Sequence, residues 1–385
     1  MSILLFIIIL AVLVLSHELG HFLVAKLFGI RVDEFGFGFP PKIFSWKYGE
    51  TVYSINLLPL GGFVKIFGED PTQEVLDTEH EDSKRCLYNK PRYIQAAVIG
   101  AGVLFNLILG WITLSAGFIA GLPVPVGFTD LGPRPEDSKL LITGVLKDSP
   151  AETAGLRSGY NIVYLAAKGS ELKDLSPEKV SDFISTHGGQ EIYVKYKVPT
   201  KTNLLVDIGL GPLDYGQDIR SASVIPKVGV IGARPGIGIS MDLVGLLKLP
   251  FLDALHAGYL GVSALFMSTV RGLIHFVAGL FTGGSSVVSV SGPVGLIGIV
   301  GDAMGFGFAY LLALVTFISV NLAALNLAPF PALDGGRLFF LLIESIIRKP
   351  LNSKIVNALN IGGFIFLLGV MFVVTVGDIF KLVSY

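Results

Sequence analysis

Residues 2–24 read SILLFIIILAVLVLSHELGHFLV. Residues 2–15 carry no charge and the apolar character runs on to Val24. That is long enough for a helix to cross a bilayer, which takes about 20 mostly apolar residues. Inside the run sit His17, Glu18 and His21. Ionisable groups at that depth cost about 2.5–3.5 kcal/mol each on insertion scales, so their presence marks function. On a helix, positions four apart share a face, so His17 and His21 can bind one metal ion through neutral imidazole. Zinc accepts such nitrogen ligands, and its catalytic sites use three protein ligands and a water. Glu18 stands beside the pair, where it can take a proton from that water.

The rest of the chain agrees with a membrane setting. Of 385 residues, 52% are hydrophobic and 15% are charged, and the mean hydropathy is +0.68. Soluble domains carry roughly a quarter charged residues. The composition excludes a disordered chain and a strongly basic nucleic-acid binder. The net charge of −1 predicts no polyanionic partner. One cysteine, Cys86, excludes an internal disulfide framework and a cysteine-cluster metal site.

Three further uncharged runs have spanning length: 96–122, 303–333 and 355–377. The first run lacks a basic leader and a clear cleavage site, so it is expected to stay in the mature protein. A fifth stretch, 274–300, contains FTGGSSVVSVSGPVG, whose glycines and proline interrupt a helix. Residues 251–281 are therefore expected as an amphipathic helix at the membrane surface, followed by a buried loop; the alternative is a fifth span. The expected fold is a polytopic α-helical membrane protein of about four transmembrane helices. A membrane-associated β element lies at about 31–68, where stretches such as TVYSINLL alternate. One soluble α+β domain is inserted. The expected domains are 1–123, 124–230 and 231–385. In the second, LLITGVL and EIYVKYKV read as strands, and Ser176 and Pro177 open a helix that Gly188 and Gly189 end.

Lys26, Arg31, Lys90 and Arg92 flank the segment between the first two spans. Arg337, Arg348, Lys349 and Lys354 fill the loop between the last two. Positive short loops face the cytoplasm. Both termini and the soluble domain are then expected outside, with the polar site towards the cytoplasmic side.

The metal needs a third ligand. Asp334 follows Asn326-Leu-Ala-Pro329-Phe-Pro331-Ala-Leu at the end of the third span. Two prolines cannot continue a regular helix, and broken backbone at membrane depth is tolerated only inside protein or beside a wet cavity. A carboxylate after such a break is well placed as an oxygen ligand. Asn326 offers donors and an acceptor nearby.

HExxH in the first span with NxxPxPxLDG in the third resembles the site-2 protease family of intramembrane zinc metalloproteases, most nearly its bacterial RseP-like branch. GFGFPPKIFSW and LPLGGFVKIFGED resemble that branch's β element. GVLFN at 102–106 resembles its GxxxN pattern, and SGPVG at 291–295 and SVNL from Ser319 also fit. The resemblance implies peptide-bond hydrolysis within the membrane, with Zn2+ held by His17, His21 and Asp334 and with Glu18 as general base. It implies that Asn326 binds substrate backbone or stabilises the oxyanion, with Pro329, Pro331, Asn106, Gly61 and Gly62 as further substrate-binding candidates. The implied substrates are single-span membrane proteins, such as trimmed anti-sigma factors or signal-peptide remnants. A substrate helix must unwind to expose its carbonyls, and the stretch 51–57 is expected to receive it by strand addition.

SPAETAGLRSGYNIV at 149–163 resembles the pattern of bacterial PDZ domains, with Gly155, Leu156 and Gly159 at the peptide groove. Tyr160 stands where the pattern has an acidic residue, which puts any role of that carboxylate in doubt. Such a groove takes a peptide C-terminus by strand addition; the competing reading is a domain that only gates access. Among other functions, a di-iron membrane enzyme needs more histidines than the six present. A metal transporter leaves the LDG motif unexplained, and an inactive binding protein leaves the intact polar set unexplained.

Overall fold

The computed structural model describes residues 2–69, 83–126, 136–199, 215–231, 234–282, 300 and 308–383. It divides into two compact units. The first comprises Met1–Thr113, Gly261–Val300 and Val315–Tyr385, and the second Leu114–Leu260 and Gly301–Leu314.

In the first unit, α1 (Ser2–Leu27) and α2 (Arg92–Ala120, as far as Thr113) are two of its long helices. In lipid the backbone must satisfy its own hydrogen bonds, which is why uncharged runs of this length become helices. The two pack through very small residues. A Cβ on Gly20 would collide with the Ala101 carbonyl oxygen, so α1 and α2 meet almost backbone to backbone. Hydroxyls add fixed points between helices: Ser16 donates to the Phe105 carbonyl at 3.3 Å. With α6 (Phe308–Leu327), Ser319 donates to the Asn106 carbonyl at 2.7 Å, and Thr113 and Thr316 share a 2.8 Å hydrogen bond. Such bonds contribute about 0.6 kcal/mol each on average, so they set register more than they hold the helices together.

Two long strands follow α1: β1 (Val32–Tyr48) and β2 (Thr51–Ile66), an antiparallel pair. Gly49 opens the two-residue turn between them with φ +61°, a conformation glycine adopts without strain. Each strand folds along its own length. Residues 34–37 pair with 62–65 on one side and 52–55 on the other, and 44–48 pair with 51–55. Four segments therefore lie side by side in the order 44–48, 51–55, 34–37 and 62–65. The stretch 51–57, expected to accept a substrate strand, has its 51–55 part in the interior of this sheet. The segment 62–65 is an edge among the described residues. Ala25, Ile30, Val32, Ile66, Leu87 and Val98 form the buried cluster joining the foot of α1, the sheet and the start of α2. Glu50, in the turn, pairs with Lys26 and with Arg85, each at 2.6 Å. The Lys26 ammonium and then the Arg85 guanidinium hold its carboxyl below the usual carboxylate range.

After α6 the chain breaks at Pro329 and Pro331 and restarts as α7 (Asp334–Ile347). Ala332 has φ +74°, a left-handed conformation costing a non-glycine residue about 1–2 kcal/mol. The last helix, α8 (Ser353–Val383), is uncharged from Ile355 to Gly377.

In the second unit a sheet has the order β3-β11-β4-β5-β7-β8, with β6 added to β5. Its strands are β3 (Leu122–Pro125), β4 (Glu136–Val145), β5 (Asn161–Ala167), β6 (Ser170–Leu172), β7 (Ile192–Pro199), β8 (Tyr215–Val224) and β11 (Ile239–Leu247). A separate ribbon joins β9 (Lys227–Ile231) to β10 (Arg234–Gly236). The single turn α3 (Pro150–Thr153) is capped by Ser149, and α4 (Pro177–Thr186) buries Val180, Phe183 and Ile184 on one face. These residues join Ile142, Leu156, Ile162, Leu165, Ile192 and Val194 in the core of the unit.

Among the described residues, five helices are long and apolar enough to cross a membrane: Ile3–Leu27, Arg92–Ala120, Phe251–Phe276, Phe308–Leu327 and Ser353–Phe380. The additional one lies in α5 (Phe251–Thr282), where the sequence suggested a surface helix. It is the least apolar of the five and exposes Arg271 and His275. The motif at 291–295 lies outside the described residues.

Candidate metal centre

The ligand atoms come from two helices of the first unit. His17 and His21 project one turn apart from α1, and Asp334 is the first residue of α7 after the proline break. His17 Nε2 is 3.1 Å and His21 Nε2 3.4 Å from Asp334 Oδ2, and the two imidazole nitrogens are 3.2 Å apart. The three residues' ligand atoms all lie within 4.8 Å of one another.

Chemistry as well as distance favours a cation here. His21 Nδ1 donates to the Val98 carbonyl at 2.8 Å. A carbonyl only accepts, so the proton of a neutral His21 is on Nδ1 and its Nε2 presents a lone pair to the group. Asp334 Oδ2 is buried, and its close polar neighbours are the Nε2 atoms of His17 and His21. Lone pairs facing one another in a buried place are costly unless a positive charge lies among them. Nitrogen and oxygen ligands about 2.0–2.1 Å from a tetrahedral zinc stand about 3.3–3.4 Å apart, so the spacing fits that ion.

A cavity of about 200 Å³ opens on the group, lined among others by His17, Glu18, His21, Gly62, Phe63 and Asp334. Gly62 brings the strand edge against α1: a Cβ there would lie 3.1 Å from Glu18 Cγ. The Glu69–Arg337 ion pair lines this cavity and also a neighbouring cleft of about 420 Å³, which contains the 2.8 Å pair Arg92–Glu344.

His17, Glu18, His21, Asp334 and Gly62 thus come together. Gly61 packs against the Phe39 ring. Asn326 is half-buried in the last turn of α6, Pro329 is exposed, and Pro331 packs under Gly363; none of the three is among the residues lining the cavity. Asn106 is fully buried with its amide facing His17. In the second unit, Gly155 and Gly159 have left-handed backbone, Leu156 is enclosed in the core, and the Gly159 carbonyl accepts from Tyr215 at 2.8 Å.

The sequence did not single out Val98, Glu69 or Arg337 for the site. For Arg337 a signal existed: it lies three residues after Asp334 on a helix, hence on the same face.

Comparison with known proteins gives a consistent result. The model of the peptidase family M50 matches residues 5–370. The chain is similar to a protein of Clostridium perfringens whose name describes a zinc metalloprotease, at 34% identity over 95% of each chain. A Nostoc protein with the same description is 31% identical over 96% of this chain and 93% of its own. The zinc metalloprotease RasP of Shouchella clausii is 29% identical over the full length of both.

Proposed function

The chain belongs to peptidase family M50 and is an intramembrane zinc metalloprotease of the site-2 type, and from that premise we propose how its residues divide the work. His17, His21 and Asp334 hold the zinc. The observation that carries this assignment is their convergence, with ligand atoms within 4.8 Å. Zinc, when bound, supplies a Lewis acid for the scissile carbonyl and lowers the pKa of its water. Glu18, in the same cavity, accepts the proton of the attacking water and passes it to the leaving amine. Asn326 is the candidate for holding substrate backbone or the developing oxyanion, with Pro329 and Pro331 shaping the backbone beside it.

The substrate lies extended when it reacts, because a helix shields its carbonyls in its own hydrogen bonds. The edge at Gly62–Val64 supports strand addition beside Glu18, in place of the stretch 51–57, whose 51–55 part is interior. Substrates are membrane proteins with a single transmembrane segment, of the anti-sigma-factor or signal-peptide-remnant type. The 124–230 domain acts as a PDZ-like module that receives a peptide C-terminus. The enzyme resides in the bacterial cytoplasmic membrane, with both termini and that domain outside and the metal centre towards the cytoplasm.

Glu18→Gln tests the central assignment. The variant should keep its zinc and lose roughly 10²–10⁴-fold in cleavage of a model transmembrane substrate. Equal cleavage by the variant would remove Glu18 from the role of base. Membrane fragments that accumulate in cells carrying this variant would identify the substrates.

A further inference from the structure

Residues 98, 102 and 106 of α2 are spaced by four and share one helix face. That face meets both imidazoles. At one end the Val98 carbonyl accepts from His21 Nδ1 at 2.8 Å. At the other, the Asn106 amide lies 3.2 Å from His17 Nδ1. Between them is Gly102, where a Cβ would collide with His21 Nε2 and the His17 ring, so the rings rest on bare backbone. Asn106 has no exposed surface, and its Oδ1 is buried without a donor. Its backbone turn is pinned by Ser319, which donates to its carbonyl at 2.7 Å.

The amide nitrogen faces His17 in this arrangement. Turning the amide end for end places Oδ1 on that nitrogen instead, gives the orphaned oxygen a donor, and puts the His17 proton on Nδ1. We infer that α2 fixes the tautomers of both ligand histidines, Val98 through its backbone carbonyl and Asn106 through its side-chain oxygen, so that each ring turns Nε2 to the metal. The inference rests on the reading of His17, His21 and Asp334 as the ligand set. Asn106 is then a positioning residue and not a substrate contact, in keeping with its enclosure. The His21 anchor is backbone and survives substitution; the His17 anchor is a side chain and does not.

The test is zinc affinity of the purified full-length protein, measured by chelator competition for wild type, His17→Ala, Asn106→Leu and Asn106→Asp. Asn106→Leu removes the acceptor at nearly equal volume and should weaken zinc binding by about 10–100-fold. Asn106→Asp keeps an acceptor of the same shape and should bind zinc as tightly as wild type or more so. A role in packing alone predicts the reverse order, since leucine suits a buried apolar site and a buried carboxylate does not; that order overturns the inference. Should Asn106→Leu fail to fold, 15N-histidine spectra of the zinc-loaded wild type decide. A hydrogen-bonded proton on Nδ1 of His17 that shifts in Asn106→Asp supports the inference, and a lone pair on that atom overturns it. Undiminished zinc affinity in His17→Ala would overturn the ligand set and the inference with it. A loss confined to His17→Ala would overturn the inference alone.

Discussion

A methyl group added to Gly102 would overlap the two imidazoles, whereas one added to Gly100, two residues earlier on the same helix, meets nothing within 4 Å. Overpacking of a tight site costs roughly 1–3 kcal/mol, or about five- to 150-fold in an equilibrium constant. Gly102→Ala should therefore weaken zinc binding by about that factor in a chelator titration, and Gly100→Ala should leave it unchanged. Equal effects of the two would show that helix propensity, not contact with the ligands, governs the position. The sequence made much of this residue-level picture legible. The spacing of His17 and His21 follows from helix geometry alone, and two prolines before Asp334 announced a break. The contact of Asn106 with His17 was not legible, because 89 residues separate the partners and only the register of α1 on α2 brings them together.

At the level of elements the sheet beside α1 makes the same distinction. Alternation in TVYSINLL told which residues share a face of a strand, since side chains point alternately up and down. It carried no information about which strand is an edge, because pairing lies in the plane of the sheet, at right angles to the side chains. Only the register showed 52–55 enclosed between 44–47 and 34–37, with 62–65 outermost among the described residues. Proline placed in turn at each position from 62 to 65 should give a pattern of period two. Where the lost N–H points outward, cleavage should fall at least about tenfold with zinc retained, because an edge strand tolerates proline there. Where it points inward, the ladder itself is broken. Uniform effects, or none, would sink strand addition at this edge.

For the whole molecule, the uncharged runs located four of the long helices, Ser2–Leu27, Arg92–Ala120, Phe308–Leu327 and Ser353–Val383. The helix Phe251–Phe276 is the point at which hydropathy stops deciding, since it qualifies by length yet carries Asp253 and Arg271. Four spans place both chain ends on one side of the membrane, and five place them on opposite sides. Tags at the two termini, probed by protease in sealed vesicles of each orientation, are expected to be cut together from the outer face. Cutting from opposite faces would make Phe251–Phe276 a fifth span and reverse the assignment for one end.

The proposed ligand set joins position 21 near one end of the chain to position 334 near the other. An ion shared by both closes most of the polypeptide into a ring, and the entropy such a closure removes grows only slowly with ring size. Each helix, however, satisfies its backbone without help from its neighbours. The ring therefore restrains how the helices associate rather than whether they form. Removing the ion would leave a bundle of intact but loosened rods, a change visible to cross-linking between helices and nearly silent in helical content.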